Sequence, residues 1–345
     1  MPRSNGRSRV TLDDVAAHAG VSKGTASKTL NGRSDVAEAT RQRVLAAVAE
    51  LGYRPTTEPS APARTRTVVA VADSLESHYI SHVLQGVVAA AAAVRTDVLV
   101  RLAPERSVRN EPETARAWVD EQLASGAVGA VGITLGEPSA LLTACEQVGL
   151  PFVIIDPVDV PADDVVRVGA TNWAGARTAT GHLIGLGHRH IAWVGGPDSS
   201  EASADRFHGY AAALETAGIG VNRSLLRHGP FAVETGLVHG RDLLGLPEPP
   251  TAVVCGDDEI AVGVLLAARE LGVPVPRGVS VVGFDDTPQA RWTTPPLTTV
   301  HQPLEGMGQM AVQTVLAMAD GVQPPSRQVQ LMTTLVERGS TAPPG

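Results

Sequence analysis

The sequence predicts an α/β fold, with a small helical domain at the N-terminus followed by a larger two-lobed domain with parallel sheets. Residues 1–55 contain three short stretches with apolar side chains at helical spacing. A Pro-rich polar linker follows at residues 56–66, and from residue 67 short apolar runs alternate with helical stretches. About 280 residues remain after the linker, more than one compact sheet unit usually holds, so we expect two lobes.

The first two predicted helices are joined by a very short turn. Thr11 can cap the first helix, Asp14 completes a capping box with it, and Gly20 ends the helix. Ser22 can cap a second helix over residues 22–30. Two helices joined by about three residues form a helix-turn-helix, whose second helix enters the major groove of DNA.

A third helix is predicted over about residues 37–51, after the turn sequence Asn31-Gly32. Its apolar side chains recur at helical spacing, which predicts that one face packs against the first two helices. The residues that we assign to this inner face are Val44, Leu45, Val48 and Leu51.

The charge is distributed unevenly along the chain. Residues 1–66 carry 11 lysines and arginines against six acidic residues, whereas the remainder carries 17 against 30. Both lysines of the chain, Lys23 and Lys28, lie in the second predicted helix. A basic head on an acidic body indicates that the head contacts nucleic acid, although local charge variation on a solvated surface is the alternative.

The body shows the alternation that is typical of parallel sheets with helices on both faces. Its predicted strands are residues 67–72, 98–102, 127–133, 152–155, 191–194, 252–255, 279–284 and 298–300. Its predicted helices include residues 80–94, 113–125, 174–186, 204–217 and 258–271.

Several classes of protein are disfavoured. No apolar run reaches the ~18 residues of a membrane span, and no apolar segment typical of a signal peptide follows the basic N-terminus. Cys145 and Cys255 lie in apolar segments, which indicates buried reduced thiols and a cytoplasmic location.

The motifs of an enzyme are also missing from the sequence. His188 and His190 have no third metal ligand at suitable spacing, and the turn at Gly195-Gly196 is neither a phosphate loop nor a dinucleotide fingerprint. We therefore expect no catalytic residues, no cofactor and no metal.

The head reads VTLDDVAAHAGVSKGTASKTLNGRSDVAEATRQRVLAAVAELGYRP over residues 10–55, which resembles the N-terminal signature of the lactose/galactose repressor (LacI/GalR) family. The body continues the resemblance in GATNWAGARTATGHLIGLGHRHIAWVGGP, ADRFHGYAAAL, GDDEIAVG and SVVGFDDTPQARWTTPPLTTVHQPL, so that it spans essentially the whole chain. The resemblance implies a periplasmic-binding-protein-like body and a homodimer that binds a near-palindromic operator. It further implies a repressor of carbohydrate-utilisation genes that a sugar effector releases from double-stranded DNA, without contact to a membrane.

The resemblance also implies a set of DNA-binding residues. The positions that match base-reading residues of the family are Lys23, Gly24 and Lys28. The positions that match phosphate contacts and packing are Ser22, Thr25, Ser27 and Asn31, to which we add Thr11 and Tyr53. For the lysines the alternative is a phosphate contact without sequence information, and for the polar residues it is simple capping.

The linker departs from the family. Members usually continue with a short helix that inserts a leucine into the minor groove, whereas this chain has Pro59 and Pro62 in that segment. No leucine occurs between Leu51 and Leu75. Because an interior proline costs a helix about 3 kcal/mol, we predict that the hinge helix and its leucine wedge are absent or much altered.

Six residues match effector contacts of the family, near the strand ends where ligands of parallel sheets bind. They are Tyr79, Asp156, Arg206, Phe231, Asp257 and Asp285. Asp257 replaces the usual Asn, which predicts a different ligand or a nearby arginine. The alternative for each Asp is that it caps a helix.

The predicted boundaries follow from these assignments. The DNA-binding domain is residues 1–55, the hinge is residues 56–66 and the effector and dimerisation domain is residues 67–345. Within the last, we assign about residues 67–169 and 302–333 to the first lobe and about residues 170–301 and 334–345 to the second. Two alternatives stay open: a regulator that needs a small-molecule or protein corepressor, and a sugar-binding protein without operator control.

Overall fold

The computed structural model of the chain describes residues 10–30, 33, 36–51, 53, 66–158 and 165–345. The chain divides into two compact units, Met1–Arg64 and Thr65–Gly345. Among the described residues, no helix combines the length and the apolar character that a membrane span needs.

The first unit is a three-helix domain. Its helices are α1 (Leu12–Ala19), α2 (Lys23–Leu30) and α3 (Glu38–Leu51). Their small core consists of Val15, Ala16, Ala19, Ala26, Val44 and Ala47. The predicted capping box is confirmed: the Thr11 hydroxyl accepts from the Asp14 amide at 3.3 Å, and the Asp14 carboxylate accepts from the Thr11 amide at 2.8 Å.

The prediction of the inner face of α3 is wrong for one residue. Leu45 is 49% exposed, whereas Val44 and Ala47 are buried and Val48 and Leu51 are partly buried against the core. Successive residues of an α-helix are rotated by about 100°, so a face that contains residues 44, 47, 48 and 51 turns residue 45 outward. Ala47, rather than the larger Leu45, packs on this face of the helix.

The second unit contains two sheets and their covering helices. The strands are β1 (Thr67–Ala72), β2 (Asp97–Leu102), β3 (Ala127–Ile133), β4 (Phe152–Ile155), β5 (Val166–Ala170), β6 (Ile191–Gly195), β7 (Leu226–His228), β8 (Ala252–Cys255), β9 (Ser280–Asp285), β10 (Thr298–His301), β11 (Gln328–Leu331) and β12 (Thr334–Val336). The helices are α4 (His78–Ala93), α5 (Arg106–Arg109), α6 (Pro112–Ala124), α7 (Ser139–Val148), α8 (Asn172–Gly185), α9 (Glu201–Thr216), α10 (Val233–Leu244), α11 (Asp258–Glu270), α12 (Gln289–Trp292) and α13 (Leu304–Ala319).

Each sheet belongs to one lobe. The order of the first sheet is β11-β5-β4-β3-β1-β2, and that of the second is β12-β10-β9-β8-β6-β7. Neighbouring strands are parallel throughout, except that the edge strand β12 runs antiparallel to β10. The predicted α/β class is thereby confirmed, with one antiparallel edge that the alternation of strands and helices did not indicate.

The chain passes between the lobes at three places: between β5 and α8, between β10 and α13, and between β11 and β12. Thr171 and Thr333 join two of these crossovers. Their hydroxyl oxygens lie 2.9 Å apart, and the Thr333 amide donates to the Thr171 hydroxyl at 3.0 Å. Because the connections cluster at one edge of both sheets, the strand ends of the two lobes face a common cleft.

Helix α4, which carries Tyr79 into this cleft, packs unusually close to α13. A Cβ atom added at Gly86 would lie 1.9 Å from the Glu305 carbonyl oxygen, and one added at Gly308 would lie 2.2 Å from the Val83 carbonyl oxygen. Glycine at both positions therefore permits backbone contact that any side chain would prevent. This contact fixes α4 against the first sheet.

Candidate functional site

The N-terminus of α2 is held by Ser22. Its hydroxyl oxygen accepts from the Thr25 amide at 3.1 Å and lies 2.9 Å from the Thr25 hydroxyl. Ser22 therefore caps α2, as the alternative interpretation of this residue expects. Ser27 is partly buried on the same helix, and Asn31 lies outside the described residues.

Both lysines of α2 are exposed. Lys23 Nζ lies 2.8 Å from Asp13 Oδ2, and this hydrogen bond raises the pKa of the lysine. An ion pair between two solvated side chains contributes little to stability, so either partner can be exchanged for another charged group at small cost. The charge of Lys23 thus contributes little to the stability of the fold.

Gly24 is exposed next to Lys23. The nearest atom to a Cβ added there is the Ser22 hydroxyl oxygen at 3.8 Å, so the domain has room for a side chain. Tyr53 differs from these residues because it packs against the core of the domain, and its amide donates to the Val48 carbonyl at 3.1 Å. Thr11 and Tyr53 therefore have evident structural roles, whereas Lys23 and Gly24 contribute little to the packing of the domain.

A cavity of about 160 Å³ lies in the cleft of the second unit. It brings together all six residues that the sequence singled out, although they are separated by up to 206 positions along the chain. The lining residues are Ser77, Tyr79, Ile80, Thr134, Asp156, Val158, Ser200, Ala202, Arg206, Phe231, Asp257 and Asp285.

The ends of strands position most of the polar groups. Asp156 follows β4, Asp257 lies two residues beyond β8, and Asp285 is the last residue of β9. Arg206 projects from α9, and Phe231 precedes α10. Asp156 and Asp285 have φ angles of 41° and 107°, which L-residues seldom adopt, so the fold holds these two turns in a strained conformation beside the cavity.

Arg206 is fixed on several sides. Nε donates to Asn172 Oδ1 at 2.8 Å, and Nη1 donates to the Gly256 carbonyl at 2.6 Å and lies 3.5 Å from Asp285 Oδ1. The guanidinium carbon lies 3.9 Å from the centre of the Phe284 ring and 5.9 Å from that of Phe231. The side chain is 3% exposed, so its charge acts in a poorly hydrated environment.

Asp156 and Asp285 are buried beside Arg206. Asp156 Oδ2 accepts from the Tyr79 hydroxyl at 2.7 Å, and Asp285 Oδ1 accepts from Gln302 Nε2 at 2.5 Å. Burial raises the pKa of Asp156, and it raises that of Asp285 to about 6 while the charge of Arg206 opposes the shift. Neither residue is the N-cap of a helix.

Asp257 caps a helix and also lines the cavity. Its Oδ1 accepts from the Ile260 amide at 2.8 Å and caps α11, while the residue also lines the cavity. Burial raises the pKa of Asp257 well above its usual range, the charge of Asp285 raises it further, and Arg206 acts in the opposite direction. An arginine does therefore lie near the aspartate that replaces the usual asparagine.

Three buried residues near the cavity were not predicted from the sequence to belong to the site. Asn172 and Gln302 bind Arg206 and Asp285, and the buried Asp258 accepts from the Thr287 amide, the Thr287 hydroxyl and the Thr299 hydroxyl at 2.8, 2.8 and 2.5 Å. Burial raises the pKa of Asp258 to about 8. All three lie in or beside quoted motifs, but nothing in a linear sequence shows which side chains they meet.

His188 and the two cysteines are buried inside the second unit. His188 is buried, and its ring nitrogens lie within 3.1 Å of the Thr251 and Ser280 hydroxyls and the Ala342 carbonyl. Across the described part of the chain, no group of three His, Cys, Asp or Glu side chains could hold a metal ion. Cys145 and Cys255 are buried free thiols, and burial raises the pKa of Cys145 to about 12.

Both units match known families. Residues 11–56 match the model of bacterial regulatory proteins of the lacI family, and residues 180–341 match a periplasmic binding protein-like domain. The HTH-type transcriptional repressor PurR of Erwinia tasmaniensis is 33% identical over 339 residues, which cover 96% of this chain and 97% of that protein.

Solved structures are similar over the same length. The transcriptional regulator CelR in complex with cellobiose is 30% identical with a TM-score of 0.71, over 96% of this chain and 100% of that one. The lac repressor dimer bound to operator and the anti-inducer ONPF is 29% identical with a TM-score of 0.72, over 97% of this chain and 100% of that one.

Proposed function

The chain belongs to the LacI family of bacterial regulatory proteins, and from this premise we propose that it is a transcription repressor of carbohydrate-utilisation genes. In this proposal a homodimer binds a near-palindromic operator through α2, and a sugar that binds between the lobes releases it. Its relatives are repressors and regulators rather than enzymes, which supports the same assignment.

The observation that carries the sugar proposal is the set of polar groups around the cavity. Three aspartates supply hydrogen-bond acceptors for hydroxyl groups, Arg206 supplies a rigid donor, and Phe231 supplies an aromatic face. A ligand with many hydroxyls and apolar ring faces uses all three kinds of group. The CelR relative is in complex with cellobiose, a sugar, which supports the same class of ligand.

The site can report occupancy because both lobes contribute to it. Tyr79 comes from α4 in the first lobe, whereas Arg206 and Asp285 come from the second. A ligand that contacts both lobes favours one of their arrangements, and it shifts operator affinity by its differential affinity for the two states. A coupling free energy of about 1–3 kcal/mol corresponds to a change of about 5–150-fold.

The DNA proposal rests on the exposed face of α2. In a helix-turn-helix dimer the second helices enter successive major grooves, with their N-terminal residues toward the bases. Lys23 is then free to exchange Asp13 for a guanine or a phosphate, and Gly24 lets the helix approach closely. The lac repressor relative is a dimer bound to operator, which supports a dimer here.

The hinge stays a prediction, because Pro59 and Pro62 lie outside the described residues. We propose that this chain kinks its operator less than a family member with a leucine wedge. Gel-shift bending assays should show a smaller bend for the wild type than for a variant in which PTTEPSAPARTR is replaced by a standard hinge. Equal bends would contradict the proposal.

We also propose the domain boundaries given by the sequence. In this assignment residues 1–55 bind DNA, and the body is divided into lobes near residues 170, 301 and 333. The assignment is supported by β11 lying in the first sheet and β12 in the second.

The ligand proposal is tested by thermal-shift screening of the purified full-length protein against mono- and oligosaccharides. We expect at least one sugar to raise the melting temperature, because a ligand that binds only the folded state stabilises it. Arg206→Lys keeps the charge but loses the planar fork, so it should lower that shift. A screen without any stabilising sugar would overturn the proposal, whereas a sugar that tightens operator binding would identify corepression.

A further inference from the structure

We propose that the cavity selects an uncharged sugar and discriminates against phosphorylated sugars, an inference that rests on the proposed function. Its polar wall contains three carboxyl groups, those of Asp156, Asp257 and Asp285. Among the described residues that line it, Arg206 is the one cationic side chain. Burial raises the pKa of each of these carboxyl groups, so the site disfavours negative charge on its own side chains, and it would disfavour an anionic substituent for the same reason.

The single guanidinium is already engaged by the protein. Nη1 lies 3.5 Å from Asp285 Oδ1, and the other contacts of Arg206 bind Asn172 and the Gly256 carbonyl. Its charge is offset by a carboxylate, and its orientation is fixed by neutral acceptors. Dedicated phosphate sites instead use clusters of arginines with forked donors directed at the ligand.

The second common device for binding phosphate is the free N-terminus of a helix. Three helices, α4, α9 and α11, have an N-cap residue that lines this cavity, and each of these side chains accepts from an amide of the first turn, whereas α10, which begins just after Phe231, has no side-chain cap. Ser77 Oγ accepts from the Tyr79 amide at 3.1 Å, Ser200 Oγ from the Ser203 amide at 3.3 Å, and Asp257 Oδ1 from the Ile260 amide at 2.8 Å. In α11 the cap is itself a carboxylate, so this helix end is already occupied by an acidic side chain.

A second acidic side chain adds negative charge at the N-terminus of α11. Glu259 follows the cap in the first turn, and its charge raises the pKa of both Asp257 and Asp285. The wall also contains three neutral groups, the hydroxyls of Ser77, Thr134 and Ser200. A hydroxyl can donate to or accept from a sugar hydroxyl and carries no charge. The wall thus accepts hydroxyl donors and repels anions.

Asp257→Asn is the informative variant. Asn caps helices about as well as Asp, so the Ile260 amide keeps its acceptor while one carboxyl group is removed. The unfolding midpoint should therefore stay close to that of the wild type. Discrimination against a phosphate should shrink several-fold at alkaline pH, where the carboxyl group of Asp257 is ionised in the wild type despite its raised pKa.

The test is isothermal titration calorimetry of the full-length protein with matched pairs of sugars. The pairs are glucose and glucose 6-phosphate, galactose and galactose 6-phosphate, xylose and xylose 5-phosphate, and cellobiose and cellobiose 6′-phosphate. In every pair that binds, we expect the phosphate to be weaker by about tenfold or more, which is a free-energy difference of about 1.4 kcal/mol. When both proteins are titrated at alkaline pH, the ratio of the two affinities should be smaller in Asp257→Asn than in the wild type.

The outcomes separate the two proposals. A phosphate that binds as tightly as its parent sugar, or more tightly, overturns the inference and leaves a sugar effector in place. A ratio that is the same in the wild type and in Asp257→Asn also overturns it, since the carboxyl groups would then not be its cause. If no member of any pair binds, the sugar effector itself fails and the selectivity fails with it.

Discussion

The exposed face of α2 and the cleft of the second unit organise their polar side chains in opposite ways. On α2, Lys23 is solvated and meets one partner, Asp13, from the neighbouring helix. In the cleft, Arg206 is buried and meets Asn172, Gly256 and Asp285, which come from three other parts of the chain. The helix presents side chains that the fold does not need, whereas the cavity is assembled by the fold.

This difference determines how each region should respond to change. A side chain that the fold does not use can be replaced without loss of stability, and its loss appears only toward a partner. A buried side chain that holds several others affects stability and binding together. Four comparisons, taken from the largest expected effect to the smallest, test the contrast.

Removing Arg206 should have the largest effect. In Arg206→Ala, Asp285 and Asp156 lose the cation beside them, and Asn172 loses its donor. Breaking a buried pair in this way costs about 3–5 kcal/mol. Urea unfolding followed by tryptophan fluorescence measures the body alone, because every tryptophan lies in it: Trp118, Trp173, Trp193 and Trp292.

The matched change on the helix is Lys23→Ala. Since this pair is exposed, hydrogen exchange of peptides from α1 and α2 should stay close to that of the wild type, while affinity for operator falls. Equal unfolding curves for Arg206→Ala and the wild type would contradict the contrast. Much faster hydrogen exchange in α1 and α2 of Lys23→Ala would also contradict it.

The two regions should also differ in the sign of their pH dependence. Burial raises the pKa of Asp285 to about 6 and that of Asp258 to about 8, so the folded body keeps protons that the unfolded chain has lost. These two carboxyl groups should make the unfolding free energy of the body fall as pH rises from about 4 to about 8, whereas His188, whose pKa burial lowers, acts in the opposite direction below a pH of about 6.5. Urea midpoints across this range measure the slope, and Asp258→Asn should flatten its upper part.

The capping box of α1 has the opposite sign. Its hydrogen bond from the Thr11 amide lowers the pKa of Asp14, so its contribution is present above the ordinary carboxyl pKa and is lost as pH falls. Hydrogen exchange of peptides from α1, corrected for the intrinsic rate, should show opening as the solution is acidified. A body whose stability rises from pH 4 to pH 8 would contradict the assigned pKa shifts.

Two glycines provide a matched pair with a smaller expected effect. A Cβ at Gly196 would lie 2.2 Å from Phe231 Cζ, so Gly196→Ala should displace the aromatic wall and weaken the thermal shift by a bound sugar. A Cβ at Gly24 meets no atom within 3.8 Å, so Gly24→Ala should keep its stability and lose only operator affinity. Anisotropy titration with operator DNA measures the second effect. Unchanged operator affinity would remove Gly24 from the DNA-facing surface.

The smallest effect is expected at the cap of α1. Thr11→Ala removes one side of the capping box and should lower the local stability of the helix by about 1 kcal/mol. Hydrogen exchange should become faster in α1 while the tryptophan unfolding curve of the body stays the same. Thr11→Ser keeps the hydroxyl and serves as the control, and equal exchange in both variants would contradict the role of the cap.

Sequence predicted the elements whose signals are local. The capping box, the C-cap at Gly20 and the long apolar strands follow from patterns within a few residues, and they were found with bounds close to those observed. Four short strands were not predicted: β5, β7, β11 and β12. The outer strands β7, β11 and β12 consist largely of partly exposed residues, so they lack the continuous apolar runs by which the central strands were recognised.

Six of the twelve described residues that line the cavity were named from the sequence, but their contacts were not. Resemblance to a family supplied Arg206 and the aspartates: Arg206, Asp257 and Asp285 lie in recognisable motifs, and Asp156 follows an apolar run. The bonds from Asn172 and Gln302 depend on how the crossovers bring separate segments together, and only the folded chain shows that arrangement. The error at Leu45 has the same origin, since packing against two other helices decided which residue turned inward.

The most direct test of the account is the operator affinity of the purified protein with and without a stabilising sugar. Fluorescence anisotropy is measured at one fixed salt concentration for a dyad-symmetric duplex and for a random duplex of equal length, since phosphate contacts make affinities depend on salt. We predict that the sugar changes affinity for the symmetric duplex by about 5–150-fold and leaves the random duplex unaffected. Identical affinities for both duplexes, insensitive to every sugar, would contradict the account.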